Sequence, residues 1–590
     1  MNVRPSRPGR RRAATLAIAL IAATVPAAIA PATAAAGAAA EPSVSVIVRH
    51  DGSARADAAV ARAGGVVTAR LRSLDALVVR APHDTLSSLR NAPGVLAVTA
   101  DRALKPHNTA SGVGVGVGNT MSQLAASTGA RGAWRQGVTG AGVGVALIDT
   151  GVVPVAGLTS PGKIINGPDL SFESQTDDRR HLDTYGHGTH LAGIIAGRDA
   201  GAPADTGAFA GVAPGAHVIN VKVGSFDGAA DVSQVIAAID WVVAHRDDPR
   251  LNIRVLNLAF GTDGAQDPRL DPLSYAVDVA WRHGIVVTVA VGNQGARRPV
   301  GMPAANPRVL AVGAVDNHGT VTTRDDTVAP FSASGARSRS ADIHAPGVRV
   351  VSLRDAGSFL DLAFPQGRHD DRFFRGSGTS QATAFVSGAA ALLLQKRPDL
   401  TPDQIKALLT RSDTAVRGVL AASRGAGQLD IAAALRRLDR GAVTGDSAPA
   451  GWEATGLGSL DASRGTHRLV DPASGVVLSG EQDIFGQTWN PQVWAAAANQ
   501  GQAWTDGAWN NSTWTGSGWT GTSWGGTSWG GTSWGGTSWG GTSWGGTSWG
   551  GTSWGGTSWG GTSWGGTSWG GTSWGGTSWG GTSWGGASWG

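Results

Sequence analysis

The amino-acid sequence predicts an α/β fold in which a parallel sheet carries helices on both faces. Within residues 120–440, short Val/Ile-rich runs alternate with helical patterns, and the runs are continuously apolar instead of alternating with polar residues. Strands of this kind are typical of a sheet that is covered by helices on both sides. In such a sheet the functional site lies beyond the carboxyl ends of the strands.

Five runs have the composition and length of buried strands. They are Val143–Ile148, His217–Val223, Val255–Ala259, Ile285–Val291 and Val309–Val315. Three segments between or after them have helical patterns: Ser233–His245, Leu273–His283 and Gln381–Gln395. A further helix begins after Thr401, because Pro402 occupies its first position.

Three other regions differ from this one in composition. Residues 41–108 predict a small α+β unit, which a glycine-rich hinge at 112–118 follows. Its predicted strands are Val44–Val48, Leu77–Val79 and Val95–Thr99, and its predicted helices are Ala54–Ala63 and Leu86–Asn91. Residues 441–488 show no clear periodicity and predict a linker, and residues 489–590 form a tail rich in tryptophan and glycine.

Charge and composition indicate export and give no support to nucleic-acid binding. The formal net charge is +5, and residues 1–40 account for all of it with five arginines and no acidic residue. The rest of the chain is therefore neutral, and we predict no nucleic-acid partner. An apolar run, Ala13–Val25, follows the arginines and precedes prolines and small residues, which predicts a signal peptide over residues 1–36. A retained membrane anchor is the alternative, and the prolines argue against it.

The first of three motifs is an apolar strand that ends in an aspartate. Val145–Ile148 leads into Asp149, and a carboxylate at the end of a buried strand needs partners such as an imidazole N–H. Taken alone, Asp149 would be interpreted as a turn or cap residue. The glycines at 140–144 precede this strand, whereas a dinucleotide-binding fold places them after it, so that interpretation fails.

The second motif surrounds His187. Gly186 and Gly188 allow the backbone to approach closely and predict an exposed ring, and the small and apolar residues that follow predict a buried helix. A metal site is the alternative because His190 is near. The spacing differs from the helical i, i+4 pair of a zincin and no glutamate intervenes, so we predict no metal ligand here.

The third motif is a glycine-rich loop that runs into a helix. Ser380 follows Gly376-Ser377-Gly378-Thr379 and precedes the apolar segment Phe385–Leu394. At a helix N-terminus the free N–H groups and the helix dipole favour negative charge on nearby oxygens. An ordinary N-cap serine is the alternative, and no lysine supports a phosphate loop.

Together the three motifs resemble the subtilisin family, whose catalytic residues also follow the order Asp, His, Ser. The resemblance covers about residues 120–440 and includes Asn293 in Val-Ala-Val-Gly-Asn. It implies a subtilisin-like fold and a serine endopeptidase in which Ser380 attacks the scissile carbonyl, His187 transfers the proton and Asp149 orients His187. It also implies that Asn293 and the backbone N–H of Ser380 bind the oxyanion.

The resemblance further implies that the substrate binds as an added strand along backbone edges. The candidate substrate-binding residues are Ala259, Phe260, Gly261, Ala290, Val291 and Gly292. Because backbone contacts discriminate poorly between sequences, we expect broad cleavage of protein or peptide substrates, with a preference for apolar or aromatic residues.

Two details concern oxidation and metals. The family commonly has methionine after the nucleophile, whereas this chain has Gln381, so we expect resistance to peroxide. The family often binds calcium, but we interpret Asp199, Asp205 and Asp227 as solvated loop carboxylates. We predict no cofactor and no metal ligands, and a structural calcium ion is not readable from the sequence. The chain has no cysteine, which excludes a cysteine nucleophile.

Residues 41–108 resemble the inhibitory prodomain of these proteases. The resemblance implies a zymogen in which the prodomain assists folding, inhibits the protease as a temporary partner and is removed by the protease itself. We expect the cut between Leu104 and Leu124.

The tail is a repeat. Tryptophan recurs every five residues from Trp489 to Trp589 except at Asn499, and residues 521–590 are fourteen copies of Gly-Thr-Ser-Trp-Gly, the last with Ala587 for Thr. An odd period would place successive tryptophans on opposite faces of a flat strand, so we expect a turn-rich coil. Its aromatic faces favour attachment to cell wall, polysaccharide or insoluble substrate, and a flexible, sticky tail is the alternative.

We therefore expect a secreted, extracellular endopeptidase, which the tail would associate with the cell surface if it is an attachment module and not a flexible, sticky tail. A surface-binding protein with an inactive peptidase domain is the second hypothesis, and the intact motifs argue against it. A membrane-tethered maturation protease is the third, and it depends on retention of residues 1–36.

Overall fold

The computed structural model describes most of the chain after residue 42. The described residues are 43–51, 55–71, 76–82, 85–100, 119–199, 208–295, 298–333, 335, 339–412, 414–417, 427–441, 443–445, 448–449, 451–470, 476–516 and the short strands between 523 and 589. The predicted signal peptide and the glycine-rich hinge lie outside them.

Residues 43–100 form an antiparallel sheet with the strand order β2-β3-β1-β4 and two helices. The elements are β1 (Ser43–His50), α1 (Arg55–Arg62), β2 (Val66–Leu71), β3 (Ala76–Pro82), α2 (Leu86–Arg90) and β4 (Val95–Ala100). Val46 and Val48 are fully buried, because alternate side chains of a strand face the same core. The sequence pattern did not predict β2, where Arg70 is exposed and pairs with Asp57.

An eight-stranded sheet forms the centre of residues 119–440. Its strands and the smaller ones beside it are β5 (Asn119–Thr120), β6 (Gly144–Asp149), β7 (Ile164–Asp169), β8 (His217–Lys222), β9 (Ile253–Leu258), β10 (Val286–Ala290), β11 (Leu310–Asp316), β12 (Thr327–Val328), β13 (Ile343–Pro346), β14 (Val350–Leu353) and β15 (Phe373–Gly376). The order in the large sheet is β12-β11-β10-β9-β6-β8-β7, with β13 paired to β11. All of its pairs are parallel except β11 with β12. The predicted parallel sheet is confirmed.

Helices cover both faces of this sheet. They are α3 (Met121–Ser127), α4 (Ala130–Arg135), α5 (His187–Ala196), α6 (Val232–Ala244), α7 (Pro272–Arg282), α8 (Phe359–Ala363), α9 (Thr379–Lys396), α10 (Pro402–Thr410) and α11 (Ile431–Asp439), with a short 3₁₀ turn at Pro365–Gly367. Helix α9 packs against α5 and against β9, β10 and β11, and α6 packs against α7. Every residue of α9 from Thr379 to Leu394 is buried, which matches its apolar sequence.

A folded segment over residues 451–516, which we call the belt, packs on α6 and α7. It contains α12 (Leu460–Arg464), α13 (Pro491–Asn499), β16 (Trp504–Thr505) and β17 (Ala508–Trp509). Trp494 and Trp509 are fully buried, and their indole N–H groups both donate to Oδ2 of Asp240 on α6, at 2.8 and 2.7 Å. The sequence predicts a linker here and a tail from residue 489. The structure instead places these first tryptophans in the core, because each buries a large apolar ring.

The repeat after the belt forms two parallel sheets of seven strands each. The strands are β18 (Ser523–Trp524), β19 (Thr527–Trp529), β20 (Thr532–Trp534), β21 (Thr537–Trp539), β22 (Thr542–Trp544), β23 (Thr547–Trp549), β24 (Thr552–Trp554), β25 (Thr557–Trp559), β26 (Thr562–Trp564), β27 (Thr567–Trp569), β28 (Thr572–Trp574), β29 (Thr577–Trp579), β30 (Thr582–Trp584) and β31 (Ser588–Trp589). Successive repeats alternate between the sheets, so that Trp534 pairs in register with Trp544. One turn of this backbone coil therefore takes two repeats.

None of the helices within the described residues has the length and apolar character needed to span a membrane.

Candidate active site

The first predicted site residue, Asp149, ends the central strand β6. This strand lies between β8 and β9, and the carboxyl ends of all three strands share one edge of the sheet. Asp149 is 1 % exposed. Its Oδ1 accepts a hydrogen bond from the backbone N–H of Thr150 at 2.9 Å, which holds the carboxylate at this edge.

His187 is the first residue of α5, and its ring contacts Asp149. Nδ1 of His187 lies 2.8 Å from Oδ1 and 3.0 Å from Oδ2 of Asp149. Gly186 adopts φ 101°, a conformation that favours glycine, and a Cβ on Gly188 would clash with the carbonyl oxygen of Gly151. The glycines therefore permit the close approach that the sequence predicts. The predicted exposure of the ring is wrong: His187 is 2 % exposed, because the ring lies against Asp149 inside the fold.

Burial and charge act in opposite directions on His187. Burial by itself lowers the pKa of His187, but the charge and the hydrogen bond of Asp149, with a contribution from Asp183, raise it above its ordinary value. The imidazole is thus a stronger base than a free histidine, and its positive form is stabilised by the neighbouring carboxylate.

Ser380 is the second residue of α9 and is fully buried. Its backbone N–H belongs to the first turn of this helix, where N–H groups have no intrahelical acceptor. Asn293 follows β10 and is connected to the same turn: its Oδ1 accepts hydrogen bonds from the backbone N–H of Thr379 at 2.9 Å and from Oγ1 of Thr379 at 3.0 Å. Because Oδ1 is used in this way, Nδ2 of Asn293 remains a free donor.

Three buried polar atoms at this edge lack a hydrogen-bond partner among the residues that the structure describes. They are Nε2 of His187, Oγ of Ser380 and Nδ2 of Asn293. A buried polar atom without a partner is costly, and a bound ligand is one way to complete it. Here the three atoms are an imidazole nitrogen, a hydroxyl and an amide donor, which are the groups needed to activate a nucleophile and to bind an oxyanion.

One residue that the sequence motifs did not predict, Asp183, supports the pair of Asp149 and His187. Asp183 is buried, and its Oδ1 accepts hydrogen bonds from Oγ1 of Thr150 and the N–H of Gly186, both at 2.7 Å. Its Oδ2 accepts from the N–H of Thr189 at 2.7 Å. Asp183 thus connects the residue after Asp149 to the start of the helix that carries His187. Its position four residues before His187 was the available signal.

The predicted substrate edges lie beyond two neighbouring strands, β9 and β10. Ala259, Phe260 and Gly261 follow β9, and Phe260 and Gly261 are partly exposed. In the second segment some backbone groups are already used. Val291 donates its N–H to Val312, and the carbonyl of Gly292 accepts from Ala333. The remaining predicted residue, Ala290, ends β10 and is buried.

The second histidine of the motif, His190, is bonded to the backbone and not to Asp149. Its Nε2 lies 3.1 Å from the carbonyl oxygen of Phe374 and 3.3 Å from that of Val350, and burial lowers the pKa of His190 to about 4. Across the described ranges, no group of three or more His, Cys, Asp or Glu side chains could hold a metal ion. Asp199 pairs with Arg372, and Asp227 accepts from the N–H of Ala229. Asp205 lies outside the described residues.

Comparison with known proteins places this site in a family. The family model described as the subtilase family matches residues 140–428. The chain is 39 % identical over 281 residues to serine protease AprX of Bacillus subtilis (strain 168), a match that spans 46 % of this chain and 62 % of that protein. It is 33 % identical over 282 residues to subtilisin DY of Bacillus licheniformis, which covers 47 % of this chain and 86 % of that protein.

A solved structure of a cold adapted subtilisin-like serine proteinase is also similar. It has 30 % sequence identity and a TM-score of 0.37, and the match covers 50 % of this chain and 89 % of that chain. The matched family region contains Asp149, His187, Asn293 and Ser380. From the family match and the similarity to subtilisin DY, it follows that this chain belongs to the subtilase family of serine peptidases.

Proposed function

We propose that the protein is a secreted serine endopeptidase of broad specificity. The observation that carries the proposal is the bonded pair of His187 and Asp149, together with three buried atoms that have no hydrogen-bond partner in the described part of the chain: Nε2 of His187, Oγ of Ser380 and Nδ2 of Asn293. A peptide carbonyl bound between these atoms would meet a nucleophile, a base and an oxyanion donor.

In the proposed reaction, Oγ of Ser380 attacks the scissile carbonyl carbon while Nε2 of His187 takes its proton. The tetrahedral oxygen receives hydrogen bonds from Nδ2 of Asn293 and from the backbone N–H of Ser380. Asp149 stabilises the imidazolium through Nδ1. His187 then donates the proton to the leaving amine, which leaves an acyl group on Ser380. Water attacks this acyl group while His187 takes its proton, and His187 returns that proton to Oγ of Ser380 as the acid product leaves.

Hydrolysis of casein tests this proposal. We expect the purified chain to cleave casein, a serine-directed fluorophosphonate to abolish cleavage, and Ser380→Ala to show none. Ser377→Ala is the matched control, because Ser377 lies three residues before Ser380 in the same loop. Its hydroxyl oxygen already accepts a hydrogen bond from the backbone N–H of Arg349. Cleavage that persists in Ser380→Ala would refute the proposal and would favour a surface-binding protein with an inactive peptidase domain.

We further propose that residues 41–108 are an inhibitory prodomain that the protease removes. Strand β2 of this unit contacts α8, and the start of α8 is bonded to the segment before His187: Phe359 and Leu360 donate backbone hydrogen bonds to Thr184 and Tyr185, both at 3.0 Å. The unit therefore lies against an element next to the proposed base. We expect Ser380→Ala to retain the prodomain covalently during refolding, and correct processing of that variant would refute self-cleavage.

For the tail, we propose attachment of the secreted enzyme to cell-wall polysaccharide or insoluble substrate. The support is the regular coil of tryptophan strands that repeats every two units. The test compares the full chain with a chain that ends after Gly516, because the first tryptophans are part of the belt. We expect only the full chain to sediment with purified cell walls. Equal sedimentation of the two chains would refute this role.

A further inference from the structure

Two segments flank Asp149 at the active edge of the sheet. Strand β6 lies between β8 and β9 and is parallel to both. The residues that follow β8, 223–231, and those that follow β9, 259–264, therefore leave the sheet at the same edge as Asp149. An extended peptide that approaches Asp149 between them would run along both, and we call these two segments the walls of the cleft.

The belt contacts the wall after β8 through a buried ion pair. Arg464 at the end of α12 and Asp231 at the start of α6 are both 0 % exposed, with Nε of Arg464 2.7 Å from Oδ2 of Asp231. The same arginine donates to the carbonyl oxygen of Gly480 at 2.8 Å. A short distance along the belt, the N–H of Ile484 donates to Oγ of Ser233 at 2.8 Å.

Apolar contacts extend this attachment to the wall itself. Ala229 is buried in a small cluster with belt residues Leu469, Leu478 and Ile484. Because Ala229 precedes Asp231 by two residues, the ion pair and the cluster hold consecutive parts of one wall. The wall after β8 is therefore fixed by side chains that lie outside the family match, which ends at residue 428.

The belt contacts the wall after β9 through Ser463, the residue before Arg464. Oγ1 of Thr262 donates to the carbonyl oxygen of Ser463 at 2.6 Å, and the N–H of Thr466 donates to Oδ1 of Asp263 at 2.7 Å. Farther from the sheet, Nε2 of Gln266 donates to the carbonyl oxygen of Ser459 at 2.8 Å. One turn of the belt thus binds both walls, with Ser463 on one side and Arg464 on the other.

We propose that the belt turn at Ser463 and Arg464 is a positioning element that fixes the width of the substrate cleft and so selects extended peptide substrates. The inference rests on the proposed peptidase function. Arg464 acts through Asp231 and does not touch the substrate. Its planar guanidinium fixes both the distance and the orientation of the wall, which a lysine does not reproduce. Loss of one partner would leave a buried charge uncompensated and release the wall.

The test compares a short and a long substrate in Arg464→Gln. The short substrate is a nitrophenyl ester of a single blocked aromatic residue, and the long one is a blocked tetrapeptide anilide that ends in the same residue. We expect kcat/KM for the tetrapeptide to fall about 5- to 30-fold, through KM, as one or two backbone hydrogen bonds to the wall are lost. The ester, which presents a single residue and no extended backbone, should be hydrolysed at the wild-type rate.

Arg397→Gln is the matched control. Arg397 pairs with Asp399 just after α9, with Nη2 2.7 Å from Oδ2, away from the belt and both walls, and its loss should leave both substrates unaffected. Asp263→Asn tests the other wall with a side chain that is 45 % exposed, so it serves if Arg464→Gln fails to fold. Its kcat/KM should fall for the tetrapeptide and not for the ester.

An equal loss on both substrates, or no loss on the tetrapeptide, would overturn the proposal, because either result would assign the belt to stability alone. Failure of the proposed function is a separate outcome. In that case the wild-type chain itself would show no ester hydrolysis that a fluorophosphonate blocks.

Discussion

The buried carboxylate of Asp240 should make the attachment of the belt depend on pH. Burial raises the pKa of Asp240 to about 7 from the ordinary 3.8, and the hydrogen bonds from Trp494 and Trp509 only partly oppose that shift. The folded state therefore binds this proton more tightly than the unfolded state. Its stabilising contribution is fully present below about pH 4 and is lost as the pH rises through about 7. A difference of about three pKa units corresponds to about 4 kcal/mol.

Asp240→Asn removes this titration and keeps the shape of the side chain. We would introduce it into the full chain with Ser380→Ala, which prevents self-digestion, and measure the free energy of unfolding in guanidinium chloride between pH 4 and pH 8. The parent chain should lose about 4 kcal/mol more over this range than the Asp240→Asn chain. Other carboxylates titrate equally in both chains, so the difference isolates Asp240.

Asp247→Asn is the control, since it removes a carboxylate that is 83 % exposed just beyond α6. That chain should follow the parent. If Asp240→Asn showed the same dependence on pH as the parent, the proton on Asp240 would have no part in holding the belt, and the reasoning from its burial would be refuted.

Three further predictions concern the active site. Asn293→Ala should lower kcat by about 10²–10³ with little change in KM, because the free Nδ2 donates only to the developing oxyanion. Steady-state assays on a peptide anilide measure this, and a change confined to KM would contradict that role. Asp149→Asn should lower kcat by about 10⁴. Because Asp149 raises the pKa of His187, the acidic limb of the pH profile of kcat/KM should also move to lower pH, and an unmoved limb would contradict the assignment. Gln381→Met should make activity sensitive to mild peroxide, while the wild type should resist it. Residual ester hydrolysis after peroxide treatment measures this, and an equal loss in both chains would show another oxidation site.

Local patterns predicted most of the central sheet and the residues that meet at its edge. Each motif combines a strand or helix signal with one chemical group, as Asp149 does at the end of β6, and parallel strands bring such groups to one edge. The strand β7 was missed, because Gly167 and Pro168 interrupt its apolar run.

Contacts between distant segments were not predictable in this way. Asn293 and Thr379 are 86 residues apart, and Asp231 and Arg464 are 233 residues apart. Arg464 lies in a short helix with charged neighbours, which in sequence resembles an exposed surface. Only the fold shows that it is buried, since burial depends on what packs over a residue and not on its neighbours in the chain.

The early tryptophans of the tail were misassigned for a related reason. The five-residue period continues through Trp489, Trp494, Trp504 and Trp509, and it hides the different environment of these residues. The signal was in the residues between them, because Asn490-Pro491 and the alanines of α13 depart from the Gly-Thr-Ser unit and begin a helix.

The register of the terminal coil makes its length adjustable. Each strand pairs with one ten positions away and every unit is nearly the same, so inserting or deleting a single pentapeptide would exchange the two sheets without creating one mismatched neighbour. With strands about 4.8 Å apart, seven of them extend about 29 Å, and each added pair of units lengthens the array by one further spacing. Gene variants that differ in repeat number should therefore fold alike and differ only in how far the appendage extends.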